Sequence, residues 1–187
     1  MPKKLSISPF APICWACAAL MMPPERTLCF AAALAVHEAA HLCAMKAFGI
    51  GVDEVRVRAA GLEIIRGGGA TSYVRDAAVS LAGPAASAIS GWAGLAAGGV
   101  FGIYGILSLI LGAFNALPVC GLDGGYAFRS LLSAVMPPER ADQIARAVSF
   151  AFVAALWAAG VYVMLADGGF SLFLISCTLF VSQAFGA

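Results

Sequence analysis

Two histidines and a glutamate lie in one short apolar stretch, at a spacing that suits metal chemistry. The segment from Ala35 to His41 contains the pattern H-E-x-x-H, and His37 and His41 are the only two histidines in the chain. If the stretch is helical, residues four apart share one face, about one turn from each other. Both imidazoles could then hold one metal ion, while the carboxylate of Glu38 takes a proton from a metal-bound water.

The composition favours a functional site over a chance occurrence of this motif. Hydrophobic residues make up 61% of the chain and charged residues only 11%. A chain this apolar is predicted to be an integral membrane protein. An ionisable side chain at the centre of a spanning helix costs about 2.5 to 3.5 kcal/mol, so three of them on one helix indicate a buried site. The net charge of +1, without a basic tract, gives no indication of nucleic acid binding.

Long apolar runs predict an all-α polytopic membrane protein with about six transmembrane helices. The runs are residues 5–22, 27–48, 76–100, 101–114, 144–166 and 170–185. No small-x-small cleavage site follows the first run, so we interpret it as a retained span rather than a secretory signal. We expect one membrane-embedded domain over residues 1–187, with its core at 27–135 and no soluble accessory domain.

The least apolar part of the chain, between residues 49 and 75, predicts a small β-hairpin at the membrane surface. Two apolar stretches with interleaved charges, 52–58 and 62–66, flank Ala59-Ala60-Gly61, as in a strand, a turn and a second strand. The hairpin could simply connect two helices. Alternatively, Val55 and Val57 could belong to an exposed edge on which a substrate segment adds as an extra strand.

A second polar cluster follows the fourth apolar run. Pro118 lacks an amide hydrogen, and Gly121, Gly124 and Gly125 permit irregular backbone, which at membrane depth occurs only where protein or water surrounds it. Asp123 in this cluster could be an ordinary interfacial aspartate. It is also the natural third ligand for a two-histidine clamp, because a catalytic zinc takes three protein ligands and a water.

Positive charges are distributed unevenly between the ends of the predicted spans. With six spans and a cytoplasmic amino terminus, only Arg26 falls outside and every other lysine and arginine is cytoplasmic. This asymmetry is what the positive-inside rule favours. We therefore expect an integral protein of a bacterial cytoplasmic membrane, with both termini in the cytoplasm. The same orientation brings His37, His41 and Asp123 to a similar depth.

These motifs and their order resemble the site-2 protease family of intramembrane zinc metalloproteases. The resemblance is carried by His37-Glu38-x-x-His41 on one predicted span, Gly83-Pro84 on a later one, and Asn115-x-x-Pro118 followed by Asp123-Gly124-Gly125. The layout, with one span before the motif helix, is most similar to the branch that contains the stage IV sporulation protease.

The resemblance implies one zinc ion per chain, bound by His37, His41 and Asp123, with Glu38 activating the water and Asn115 near the substrate peptide. The implied activity is hydrolysis of a peptide bond in or near a transmembrane segment of a membrane-protein substrate, as in regulated intramembrane proteolysis. The implied partners are that substrate, the lipid bilayer and, as an open question, a regulatory membrane protein.

Substrate handling is where the chain departs from the family pattern. Helical peptide bonds are hidden by their own hydrogen bonds, so the substrate must unwind, and Pro118 and the hairpin are the candidates for holding it extended. The family often has an asparagine shortly after Gly-Pro, where this chain has Ser87, and often a second proline where this chain has Cys120. Neither departure touches the implied zinc ligands.

Two other classes of function use similar residues. A membrane metal transporter would need more acidic or histidine residues along a path across the bilayer, whereas this chain concentrates them in one place. A non-catalytic membrane metal-binding protein, which binds or retains membrane-protein partners, would more readily have lost Glu38 or a ligand, and none is lost.

Overall fold

A computed structural model describes residues 4–7, 23–58, 61–66 and 72–169, together with the single positions 174, 176, 177 and 179. This part of the chain forms five helices and one three-stranded sheet. The helices are α1 (Pro24–Ala47), α2 (Tyr73–Ala97), α3 (Gly99–Asn115), α4 (Asp123–Ser133) and α5 (Pro138–Asp167), and the strands are β1 (Lys4–Ile7), β2 (Val52–Arg58) and β3 (Gly61–Arg66). The chain divides into two compact units after Asn115.

Helix α1 carries the H-E-x-x-H motif and confirms the helix predicted over residues 27–48. It begins at Pro24, where a proline needs no intrahelical donor and its fixed φ suits the first turn. Its buried residues recur every four positions, at Ala33, His37, His41 and Met45. They form one i±4 ridge of the kind that packs into a groove on a neighbouring helix, so the two histidines lie on the packed face.

Helices α2 and α3 are joined by a glycine turn and pack with their backbones in close contact. Gly98 ends α2 with a φ of 72°, a left-handed conformation that glycine adopts without a steric penalty. A β-carbon placed at Gly105 would lie 2.6 Å from both the Gly91 carbonyl oxygen and the Leu95 amide nitrogen. Small residues permit this approach. A turn was predicted between residues 98 and 102, and the structure confirms one at Gly98.

The sheet has the order β1-β2-β3, with β1 parallel to β2 and β3 antiparallel to β2. Strand β2 is therefore the middle strand, and its second side is paired with β1. The prediction of an exposed edge at Val55 and Val57 is wrong for this reason, because Val55 pairs with Leu5 on one side and Ile64 on the other. The outer edges of the sheet belong to β1 and β3.

Strand β1 also corrects the start of the first predicted span. Lys4 to Ile7 alternates polar and apolar residues, which suits a strand. Its hydrogen-bonding partner is β2, a strand far along the chain that the local sequence of β1 does not indicate. The rest of that span, residues 8–22, lies outside the described residues. So do the turn at residues 59–60 and, apart from four single positions, the last predicted span at 170–185.

The second unit contains α4 and α5, which side-chain contacts join. Arg129 of α4 forms an ion pair with Asp142 of α5, and the backbone N–H of Cys120 donates to Ser149 Oγ of α5 at 2.7 Å. Helix α4 was not predicted. Helix α5 begins six residues before the apolar run predicted at 144–166, so the polar residues that precede the run form its first turns.

The distribution of polar and apolar side chains fits a membrane-integral protein. Two helical stretches, Pro24–Ala47 and Pro138–Ala166, are long and apolar enough to cross a bilayer. Large apolar side chains such as Ile89 and Trp92 are 74% and 67% exposed, whereas several serines and both histidines are buried. Apolar surface on this scale is costly in water and favourable in lipid.

Candidate metal centre

The two histidines of α1 face each other through their Nε2 atoms. His37 Nε2 lies 3.3 Å from His41 Nε2, and the ring centroids are 5.0 Å apart with the planes at 75°. Both side chains are buried, at 2% and 9% exposure. The helical spacing places both rings on one face, and the packing of α1 against α2 removes them from solvent.

Each imidazole is held at its other nitrogen by a residue of α2. His41 Nδ1 lies 2.8 Å from the Val79 carbonyl oxygen, and His37 Nδ1 lies 2.9 Å from Ser87 Oγ. A carbonyl oxygen only accepts hydrogen bonds, so His41 Nδ1 is the donor and the neutral ring presents a lone pair at Nε2. A fixed hydrogen bond at Nδ1 is how proteins orient a metal-binding histidine.

Gly83 of α2 lies directly against the paired Nε2 atoms. A β-carbon at this position would overlap His41 Nε2 and would lie 2.7 Å from His37 Nε2. Pro84 follows within the helix and lacks the amide hydrogen that would bond the carbonyl four residues earlier. Gly83 therefore forms part of the wall of the histidine site.

The geometry of the histidine pair fits zinc. Two nitrogens at 2.0 to 2.1 Å from a tetrahedral ion are about 3.3 to 3.4 Å apart, and the observed separation is 3.3 Å. The donor set of two imidazoles and a carboxylate is also one that catalytic zinc sites use. The buried lone pair on His41 points at the space between the rings, where a cation would be stabilised.

Asp123 is positioned by a tight loop at the start of α4, in the second unit. Two short-range bonds shape the loop, from the Val119 amide to the Leu117 carbonyl at 2.8 Å and from the Leu122 amide to the Val119 carbonyl at 3.0 Å. Gly124 packs on the backbone of Ala116 and Leu117 so closely that a β-carbon would overlap it. The Asp-Gly-Gly sequence thus lets the helix begin directly against the loop.

The predicted ligands lie in both units of the chain. His37 and His41 belong to α1 in the first unit, and Asp123 belongs to the start of α4 in the second. That all three bind one metal ion stays a prediction. Glu38 is half-buried next to His37 on α1. Its role as the general base stays a prediction.

The residues predicted to contact substrate lie in three different places. Asn115 ends α3, and its side-chain amide donates to the Leu111 carbonyl at 3.0 Å, while Pro118 lies half-buried in the loop that follows. Val55 and Val57 lie in the middle strand of the sheet. The prediction for Asn115 and Pro118 therefore rests on their proximity in sequence to Asp123.

Sequence reasoning missed three residues that shape the site, namely Val79, Gly83 as a contact of the imidazoles, and Ser87 as a partner of His37. All three lie on α2 at intervals of four residues, which is the same spacing as that of His37 and His41. A small and a polar residue four positions apart in an apolar helix were the signal that could have found Gly83 and Ser87. Val79 contacts His41 through its backbone, so its side chain gave no signal.

A comparison with known protein families matched the part of the chain that contains Asp123. Residues 72–156 match Peptidase family M50. The match includes Gly83, Ser87, Asn115 and Asp123 but not the H-E-x-x-H motif, so the histidine pair is an independent observation. No curated protein matches the sequence.

The fold is similar to that of a solved structure described as Site-2 Protease from Methanocaldococcus jannaschii. The TM-score is 0.72 at 17% sequence identity, and the alignment covers 98% of this chain and 91% of that chain. At this level of identity the similarity bears on the fold alone.

Proposed function

We propose that this protein hydrolyses a peptide bond in or beside a transmembrane segment of a membrane-protein substrate, using one zinc ion held by His37, His41 and Asp123. The observation that carries the proposal is the buried histidine pair of α1, whose Nε2 atoms lie 3.3 Å apart, as two nitrogens on one zinc ion would. The family match over residues 72–156 supports it independently, because the histidine pair lies outside the matched segment.

In the proposed mechanism, Glu38 moves the proton and the other residues position the reactants. A zinc ion in this site supplies an activated water and polarises the carbonyl that is attacked. The carboxylate of Glu38 accepts the proton of the water and then delivers it to the leaving amine. Burial of His37 and His41 keeps bulk water away from the site, which strengthens every electrostatic interaction within it.

The substrate must be held extended beside the site, and we propose that two elements do this. Asn115 and Pro118 lie in the segment that leads to Asp123, where the irregular backbone offers donors and acceptors to a peptide. A substrate strand adds at the outer side of β3, where no strand pairs among the described residues, since β2 with Val55 and Val57 is paired on both sides.

We also propose the membrane arrangement that the sequence indicated. Six spans, with the sheet at the membrane surface and both termini in the cytoplasm of a bacterium, agree with the two apolar helical stretches and with the distribution of lysines and arginines. The order of the motifs supports a place beside the stage IV sporulation branch. A regulatory membrane partner remains part of this proposal.

Cleavage by purified protein in proteoliposomes tests the proposed function. The substrate is a single-span membrane protein labelled at both ends, with a Gly-Pro pair in its span that weakens the helix, and its matched control has leucine at both positions. We expect zinc-dependent cleavage of the first and much slower cleavage of the second, because only the first unwinds readily. Mass spectrometry of the products locates the bond that is cut.

Glu38→Gln is the catalytic control, because it keeps the size of the side chain and removes its basicity. We expect cleavage to fall by at least about 100-fold, the lower end of the range for general acid–base groups, while the zinc content stays at the wild-type level. Full cleavage by Glu38→Gln would contradict the mechanism. Zinc binding without cleavage of either substrate in the wild type would favour a metal-binding protein that retains membrane partners.

A further inference from the structure

We propose that Ser87 is a positioning residue that orients His37 for metal binding. This inference rests on the proposed metal site and adds a residue that the sequence presents only as a departure from the family pattern. Three observations carry it, namely the contact of Ser87 with His37, the way in which α3 holds Ser87 in place, and the different support given to His41.

The contact is short, and the serine is completely buried. Ser87 Oγ lies 2.9 Å from His37 Nδ1, and Ser87 has 0% of its surface exposed. The two residues are fifty positions apart in the chain, so the bond joins α1 to α2 rather than neighbours on one helix. A buried polar pair of this kind fixes the rotation of the imidazole, because turning the ring would break the bond without replacement by water.

Helix α3 fixes Ser87 from the opposite side. The hydroxyl of Ser108 donates to the Ser87 carbonyl at 3.0 Å, and Ser108 Oγ also lies 3.1 Å from Ser90 Oγ. Gly112 leaves room for the Ser87 side chain, since a β-carbon at Gly112 would lie 2.7 Å from Ser87 Cβ. Ser87 is therefore held by its backbone and by packing, and its hydroxyl remains directed at His37.

A hydroxyl suits this position because it can accept as well as donate. A histidine that binds a metal through Nε2 carries its ring hydrogen on Nδ1, and Ser87 Oγ then accepts that hydrogen. When His37 carries its hydrogen on Nε2, the Ser87 hydroxyl can donate to Nδ1 instead. An alanine can do neither, and a buried Nδ1–H without an acceptor disfavours the metal-bound ring.

His41 provides an internal reference for this role. Its Nδ1 is bonded to the backbone carbonyl of Val79, which no side-chain substitution removes. A change at Ser87 that acts only by orienting His37 will leave the His41 ring as it was. A change that disturbs the packing of α1 on α2 will alter both rings.

The first test measures zinc affinity of the full-length protein in detergent, by competition with a chromogenic chelator. Ser87→Ala removes the hydroxyl, and we expect affinity to fall about 10- to 100-fold, as for other residues that orient metal ligands. Ser90→Ala is the matched control, because it removes a hydroxyl from the same helix that bonds Ser108 and the backbone carbonyl of Ser87 but not His37. We expect Ser90→Ala to stay within about three-fold of the wild type.

A size-matched pair separates the hydroxyl from the packing. Ser87→Thr and Ser87→Val have nearly the same shape and differ mainly in the hydroxyl. Both side chains have one heavy atom more than serine beside Gly112, so any cost of crowding is shared. We expect the threonine variant to bind zinc at least ten-fold more tightly than the valine variant. If Ser87→Ala fails to fold, the comparison of the threonine and valine variants still tests the role of the hydroxyl.

Nuclear magnetic resonance gives a readout independent of activity. The chain has two histidines, so protein labelled with 15N-histidine and purified without a histidine tag gives two ring spin systems. In the zinc-bound wild type both rings are expected to carry their hydrogen on Nδ1. In Ser87→Ala we expect the His37 Nδ1 signal to shift and its hydrogen to exchange faster, with the His41 signals unchanged.

The outcomes separate this inference from the proposed function. If the wild type binds zinc and Ser87→Ala binds it within about three-fold as tightly, the positioning role is wrong while the metal site stands. Equal losses in Ser87→Ala and Ser90→Ala, equal affinities of the threonine and valine variants, or equal shifts of both rings would also overturn it. A wild type without zinc affinity would instead refute the metal site itself.

Discussion

Gly83 lies so close to His41 that a β-carbon on the glycine would overlap the imidazole Nε2. The same β-carbon would lie 2.7 Å from His37 Nε2, so it would fill the space between the two Nε2 atoms. This glycine is therefore required by the site rather than by the backbone conformation, since it has ordinary helical geometry within α2.

Gly83→Ala is expected to weaken zinc binding while the helices still form. Alanine favours a helix by about 1 kcal/mol over glycine, so local structure is not the cause. The added methyl group must displace the imidazoles, and we expect zinc affinity to fall by more than about ten-fold, at least as much as for loss of an orienting residue. Chelator competition measures it.

Gly102→Ala is the matched control for that substitution, because nothing lies within 4 Å of a β-carbon at Gly102. We expect it to bind zinc like the wild type and to be at least as stable. Zinc affinity in Gly83→Ala equal to that of Gly102→Ala would mean that the metal does not bind between the two rings.

Gly124→Ala tests the loop that positions Asp123. A β-carbon there would overlap the backbone of Ala116 and Leu117, so the start of α4 must move away from the loop. Such overpacking costs about 1 to 3 kcal/mol, and we expect a lower midpoint of thermal unfolding together with weaker zinc binding. A variant with a lower midpoint and unaltered zinc affinity would show that Asp123 does not depend on this loop.

Proline substitutions in β3 test substrate addition at the outer edge of the sheet. Successive amides of a strand point to opposite edges, so proline at Glu63 and proline at Ile64 remove donors from different sides. The proline that removes a donor on the side of β2 is expected to weaken the pairing of β3 with β2. The proline that removes a donor on the outer side should slow substrate cleavage several-fold, with zinc content and thermal stability retained.

The decisive comparison is between those two neighbouring variants. Cleavage rates in proteoliposomes and unfolding midpoints are measured for both. If the variant that keeps its stability also cleaves at the wild-type rate, no substrate strand adds at β3, and the sheet serves only to connect helices.

Local patterns in the sequence predicted the parts of the fold that depend on local interactions. The apolar run around His37 and His41 predicted α1, and a four-residue spacing predicted that both rings share a face. The glycine at position 98 marked the turn between α2 and α3, because its left-handed backbone is costly for other residues.

Long-range contacts account for what the sequence did not predict. The bond between His37 and Ser87 joins residues fifty positions apart, and the pairing of β1 with β2 joins residues of similar separation. Short strands carry too few residues to reveal their partners, so Leu5 was assigned to a membrane span instead of a sheet. The same missing partner made Val55 and Val57 look like an edge.

The central claim is that the histidine pair and Asp123 bind one zinc ion, and zinc content of purified protein tests it most directly. Wild type, Asp123→Ala and Asp142→Ala are compared by elemental analysis after detergent purification. Asp142→Ala is the matched control because it removes an aspartate that forms an ion pair with Arg129 at the surface, worth about 1 kcal/mol or less. The account predicts about one zinc per chain in the wild type and in Asp142→Ala, and a large loss in Asp123→Ala. Full zinc content in Asp123→Ala, or none in a folded wild type, would contradict it.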